Sequence, residues 1–173
     1  MIKKSIVLLA SVFMLATACN STTGKQTNDG ETLNMEKSGL NSEENTAGKP
    51  IHLTYETFVK KVWNFEENPQ NWVYEGELPA VIDFYADWCA PCRKIAPIME
   101  KLAKEYEGKL IIYKIDVDNQ QKLAAVFQVQ SIPSVLFTPV EGQPMMQAGA
   151  LTEEMYRQII DEQLIKQSTN PTK

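Results

Sequence analysis

The sequence predicts an α/β domain of three layers, a mixed central sheet flanked by helices. Three observations predict it. Two nearly continuous apolar runs, 80–86 and 110–115, have strand length and read as strands covered on both faces. A long helical pattern separates them, from about Pro91 to Tyr106, with Gly108 just beyond its end. Two strand candidates, 134–137 and 145–148, then adjoin with no helix between them, and a helix closes the chain. Alternation of strand and helix favours parallel neighbours, whereas adjoining strands favour antiparallel ones, so the sheet is mixed.

The remaining elements follow from their punctuation. Residues 51–53 form a short strand candidate. Thr54 caps a helix with Glu56 and Thr57 in its first turn, running to about Asn64. The segment 64–79 reads as a loop with Trp72 and Tyr74 tucked inward, and Trp63 and Phe65 read as packing residues. Asn119 is expected to cap a helix over 120–127. Thr152 is expected to cap a last helix, 153–166, with Ile159, Ile160 and Leu164 on its inner face.

The chain is 173 residues with an apolar fraction of 43%, a length for one domain. The apolar residues are unevenly spread. Residues 1–18 have Lys3 and Lys4, an apolar core from Ile6 to Leu15 and the small residues Ala16-Thr17-Ala18, the pattern of a signal peptide. This core is short for a membrane span. Residues 19–49 are polar and read as a flexible tether. Residues 50–166 carry nearly all the aromatics and form the folded domain, and 167–173 read as a fraying tail. The net charge is −5, and −7 without residues 1–18, which hold two lysines and no acid. That balance argues against a nucleic-acid partner.

The chemistry is concentrated in Cys89-Ala90-Pro91-Cys92, where the 80–86 strand gives way to a helix. Unsatisfied N–H groups and the positive end of the helix dipole favour a thiolate in a first turn. Pro91 suits the first helical position, where its missing N–H costs nothing. Cys89 is the expected nucleophile toward a substrate disulfide, and Cys92 is expected to resolve the mixed disulfide. A zinc site would need four ligands, and beyond this pair the chain offers only Cys19 and His52. A four-residue ring restrains little of the unfolded chain, so a purely structural disulfide is a poor explanation. No metal or other cofactor is expected.

The segment VIDFYADWCAPCRKIAP (81–97) resembles the signature of the thioredoxin family, with Asp83, Trp88, Cys89, Pro91, Cys92 and Pro97 on matching positions. YKIDVDN (113–119), SIPSVLF (131–137) and GALTEEMYRQII (149–160) resemble later segments of that family in the same order. The resemblance covers about residues 50–166 and implies the thioredoxin fold. It implies that Asp83 is a buried carboxyl beneath Cys92 that takes and returns its proton, which fits the raised pKa of a buried acid. It also implies that Lys114 lies near Asp83 and tempers its charge, and that Pro133 is cis and faces the disulfide. Trp88, Ala90, Pro91, Ile132 and Ala150 would form the apolar surface on which substrate lands. The family's usual Gly in the motif is Ala90 here, which leaves the redox poise open.

LATAC, ending at Cys19, is similar to the lipobox of bacterial lipoproteins, in which the Cys is lipidated. Ala16-x-Ala18 equally fits a general signal-peptidase site, which would leave Cys19 a free thiol. The protein is therefore expected to be exported to the periplasm, tethered to a membrane through Cys19 or simply secreted. It has no strand–helix insertion after 110–115 of the kind many exported cytochrome-maturation reductases carry. The expected activity is reduction of disulfides in exported proteins by a monomer, with electrons from a membrane thiol carrier. A disulfide oxidase or isomerase, and a non-catalytic scaffold on the same fold, are the competing expectations.

Overall fold

The computed structural model describes residues 48–166. The expected signal peptide, Cys19 with the tether as far as residue 47, and the tail 167–173 lie outside the described residues. Five strands, β1 (Ile51–His52), β2 (Ala80–Tyr85), β3 (Ile111–Asp116), β4 (Ser134–Thr138) and β5 (Met145–Ala148), form one sheet in the order β1-β3-β2-β4-β5. β3 pairs parallel with β1 and β2, whereas β4 runs antiparallel to β2 and β5. The sheet is thus mixed, as the order of elements predicts.

Four helices cover it: α1 (Tyr55–Lys61), α2 (Ala90–Glu105), α3 (Gln121–Val126) and α4 (Glu153–Ile159). β2 lies at the centre, and the two-residue period of a strand divides its side chains between two cores. Val81 packs with Ile95, Met99 and Leu102 of α2 and with Tyr156 of α4. Ala80, Ile82 and Phe84 pack on the other face with Phe58 of α1 and Leu123 of α3. Asp83 shares the parity of Val81, so it belongs to the face that α2 covers. α2 is held there by an apolar stripe, Cys92, Ile95, Met99, Leu102 and Ala103, at helical spacing. Gly108, at φ +74°, lets the chain leave α2 toward β3.

Several element ends shift by one residue, and three differences from the sequence expectation go further. α1 keeps its Thr54 cap, with Thr57 completing a capping box, but ends at Lys61 rather than near Asn64. There the chain turns so that Trp63 packs against Phe65, Trp72 and Phe127. Asn119 does not cap α3; its side-chain amide donates to Asp116, and Gln120 holds the cap position while its Oε1 accepts from the Tyr55 N–H at 2.9 Å. The last helix keeps its Thr152 cap but widens after Ile159 into a π-helical stretch, Ile160–Ile165, whose Ile160 and Leu164 are buried.

Leu102 is fully buried in the core between the sheet, α2 and α4. Leu102→Ala should cost about 2–5 kcal/mol, the range for emptying such a site, read as a lower midpoint in urea with an unchanged slope.

Candidate active site

The 80–86 run forms β2, and at its end the chain turns sharply into α2. The Cys89 N–H donates to the Ala86 carbonyl at 3.1 Å, and Cys89 becomes the N-cap of α2. Its Sγ accepts from the Cys92 N–H at 3.2 Å, so one orphan donor of the first turn points at this sulfur. The helix starts at Ala90, one residue before the expected start, which puts Pro91 at its second position. The reasoning survives the shift, because the N–H at that position also lacks a partner within the helix. Cys89 and Cys92 are joined as a disulfide.

Both cysteines are 3% exposed, so exposure does not distinguish them; their neighbours do. Cys89 Sγ lies 3.7 Å from the Ile132 carbonyl oxygen, toward the surface loop before β4. Cys92 lines a cavity of about 120 Å³ with Asp83, Tyr85, Arg93, Ala96 and Lys114. The Arg93 guanidinium is held by donating to the Asp87 carbonyl at 2.8 Å.

Asp83 is 1% exposed, and its Oδ1 has no hydrogen-bond partner in the protein. Burial pushes its pKa up to about 6, and the positive charge of Lys114 partly opposes that rise. Lys114 is its register partner on β3. The two make no salt bridge; the Lys114 ammonium stands 4.1 Å from the centre of the Tyr85 ring instead. Tyr85 in turn brings its hydroxyl within 3.3 Å of His52 Nδ1 on β1.

The rim is built by backbone geometry. The Ile132–Pro133 bond is cis, and Ser134 Oγ braces this turn by donating to the Ser131 carbonyl at 2.8 Å. The Pro133 carbonyl accepts from the Gly149 N–H at 2.8 Å, which brings Ala150 alongside. Gly149 sits at φ +89°, a conformation that favours glycine. Trp88 is 67% exposed, and its Nε1 donates to Asp118 at 2.8 Å. Ala90, Pro91 and Ala150 are exposed and Ile132 is half-buried. Ala90, as the first residue of α2, holds its methyl in ordinary helical geometry.

Asp118, Tyr85, Arg93 and His52 were not singled out from sequence as parts of the redox site. Asp118 could have been suspected from the aspartate pair in IDVD, but nothing in the sequence links it to Trp88. Among the described residues, no group of three or more His, Cys, Asp or Glu side chains is placed to hold a metal ion.

A redox-capable dithiol at a helix N-terminus, over a buried carboxyl, defines a thiol–disulfide oxidoreductase. Residues 56–162 match the family model described as Thioredoxin. The chain is 46% identical over 110 residues to a thioredoxin of Borreliella burgdorferi, covering 64% of this chain and 93% of that one. It is 48% identical over 83 residues to thioredoxin 1 of Chlorobaculum tepidum, covering 47% and 81%. A solved point mutant of a thioredoxin from Halobacterium salinarum superposes with TM-score 0.53 at 27% identity, over 66% of this chain and 90% of that one. The chain belongs to the thioredoxin family, and its fold is the thioredoxin fold.

The Asp83 carboxyl supplies a stability test. The folded protein holds this proton to about pH 6, whereas an unfolded chain releases it near the ordinary 3.8. Folding is therefore penalised increasingly as pH rises through that window, by up to about 3 kcal/mol above it. Asp83→Asn should raise stability at pH 7–8 by about 1–3 kcal/mol and give little gain at pH 4. Urea unfolding at both values checks this; equal effects at the two would contradict it.

Proposed function

We propose that this protein reduces disulfide bonds of exported proteins, with Cys89 as nucleophile, Cys92 as resolving thiol and Asp83 as proton acceptor and donor. The observation that carries this reading is the division of neighbours between the two sulfurs. Cys89 faces the loop where a substrate would arrive, and Cys92 faces the cavity that holds the carboxyl.

In the reduced protein the Cys89 thiolate, favoured by the head of α2, attacks one sulfur of a substrate disulfide. That bond breaks, the other substrate sulfur leaves as a thiolate, and a mixed disulfide forms. Cys92 then gives its proton to Asp83 and attacks Cys89 Sγ. The second substrate sulfur leaves, the Cys89–Cys92 bond closes, and two electrons have passed to the substrate. A carboxyl with a pKa near 6 is mostly ionised at neutral pH yet basic enough to take a thiol proton transiently. Lys114 keeps that pKa from rising further. Trp88, Ala90, Pro91, Ile132 and Ala150 surround the disulfide with mostly apolar surface for an incoming peptide, and cis-Pro133 shapes the loop that faces it.

The setting rests on the N-terminal pattern: export through residues 1–18, membrane attachment through Cys19, and action in the periplasm as a monomer. No cofactor beyond the dithiol enters this reaction. Outside the cytoplasm the closed disulfide needs a fresh pair of electrons each cycle, which a membrane thiol carrier would supply.

Insulin reduction tests the chemistry. Cys89→Ser should abolish turnover, and Cys92→Ser should accumulate a mixed disulfide visible on a non-reducing gel. Full activity in Cys89→Ser would refute the nucleophile. Asp83→Asn should slow turnover and remove the inflection near pH 6 from the rate profile; a profile like that of the native protein would refute proton transfer through Asp83.

A further inference from the structure

A second cavity shares Lys114 with the first. It measures about 320 Å³ and is lined by Lys49, His52 of β1, Lys114 of β3, and Ala96, Glu100 and Lys104 of α2. Lys114 and Ala96 also line the Asp83 cavity, so the two spaces share a wall. Three lysines and a histidine line this second cavity against one acidic residue, Glu100, in a chain whose net charge is −5. Among the described residues Lys101 and Lys122 make salt bridges, whereas Lys49, Lys104 and Lys114 make none. Like charges that outnumber their counter-charges repel, and a cavity between them concentrates their field.

His52 registers that field. Burial, and then the charge of Lys114, hold its pKa below the ordinary range, against the pull of Asp116 and Asp87. The Tyr85 hydroxyl beside Nδ1 leaves Nε2 as the nitrogen available to the cavity when Tyr85 donates.

We propose that this cavity binds a phosphate-class dianion through Lys49, His52, Lys104 and Lys114, and that occupancy acts on Asp83 through Lys114. A dianion adds counter-charge beyond that of Glu100 and accepts charge-assisted hydrogen bonds from ammonium and imidazole donors. Lys114 favours the ionised form of Asp83; an anion beside Lys114 cancels part of that field. The other charged groups lining the Asp83 cavity, Arg93 and Asp87, do not line the anion cavity, and Tyr156 near Asp83 is buried in the core. With anion bound, Asp83 therefore keeps its proton to higher pH. By linkage, ionising Asp83 weakens anion binding by the same factor. Binding and its effect on Asp83 ionisation stand apart from the reductase reading; only the consequence for exchange rate rests on it. The phosphate group could be free or the headgroup of a phospholipid.

His52 is the single histidine of the chain, so its ring resonances report the site without ambiguity. The full chain is titrated with inorganic phosphate, with sodium chloride at matched ionic strength as control. In parallel it is titrated with vesicles of phosphatidic acid in phosphatidylcholine. A saturable His52 shift with phosphate, an upward move of the His52 and Asp83 midpoints, and about tenfold weaker binding in the double variant Lys49→Gln/Lys104→Gln are expected, the last corresponding to about 1.4 kcal/mol. Vesicles acting where free phosphate does not would assign the site to a headgroup. An equal chloride effect, no saturable shift in either arm, unaltered affinity in the double variant, or an unmoved Asp83 midpoint at saturation would overturn the proposal. Phosphate binding by a chain that fails to reduce insulin would sink the reductase reading and leave the anion site standing.

Discussion

The buried carboxyl of Asp83 is the constraint around which the rest of the site is arranged. It lies in the middle of β2, a strand paired on both sides and covered on both faces, so almost none of it meets bulk water. A charge there is costly unless compensated, and the cation that acts on it, Lys114, is close enough to matter yet makes no ion pair with it. The outcome is an acid poised near neutral pH rather than a fixed charge. Its parity on β2 aims it at α2, and the first turn of α2 places Cys92 over the same cavity. Sheet register, helix packing and thiol position therefore converge on one proton.

The two sulfurs are treated by two separate electrostatic devices. Cys89, as N-cap, receives the Cys92 N–H and the positive end of α2, both of which favour a sulfur bearing negative charge. Cys92 has instead an adjacent base of adjustable protonation. A nucleophile must be ionised before substrate arrives, whereas a resolving thiol need lose its proton only after the mixed disulfide has formed. With the roles proposed for Cys89 and Cys92, the first turn of α2 and the carboxyl of β2 meet both requirements. Pro133 and Gly149 then tie the β4 loop and the end of β5 together on the open side of the disulfide.

The fold was legible because its signals are local. The double-faced apolar runs of β2 and β3, the capping threonines 54 and 152 and the stripe on α2 each follow from composition within a few residues. The boundaries that slipped were decided by competing contacts, one near and others distant. The Asn119 amide is taken by Asp116 three residues earlier, leaving Gln120 at the cap position with its side chain on the Tyr55 N–H, and α1 stops early where Trp63 packs across the loop to Phe127. In the site, Asp83 and the thiols lay within one continuous motif. Tyr85 stands in the same motif, yet its bond to His52 crosses from β2 to β1, and the Trp88–Asp118 bond joins two loops. Pairings across strands leave no trace in sequence spacing, so this outer shell became visible only with the register of the sheet.

The central claim, that Asp83 is an unpaired buried acid held in reserve for Cys92, is tested most directly by following its carboxyl carbon by NMR through a pH titration of the oxidised protein. The account expects a midpoint near 6, raised by burial and limited by Lys114. A midpoint near the ordinary 3.8 would mean that the carboxyl is hydrated or paired, and would contradict the proposed role of proton acceptor for Cys92.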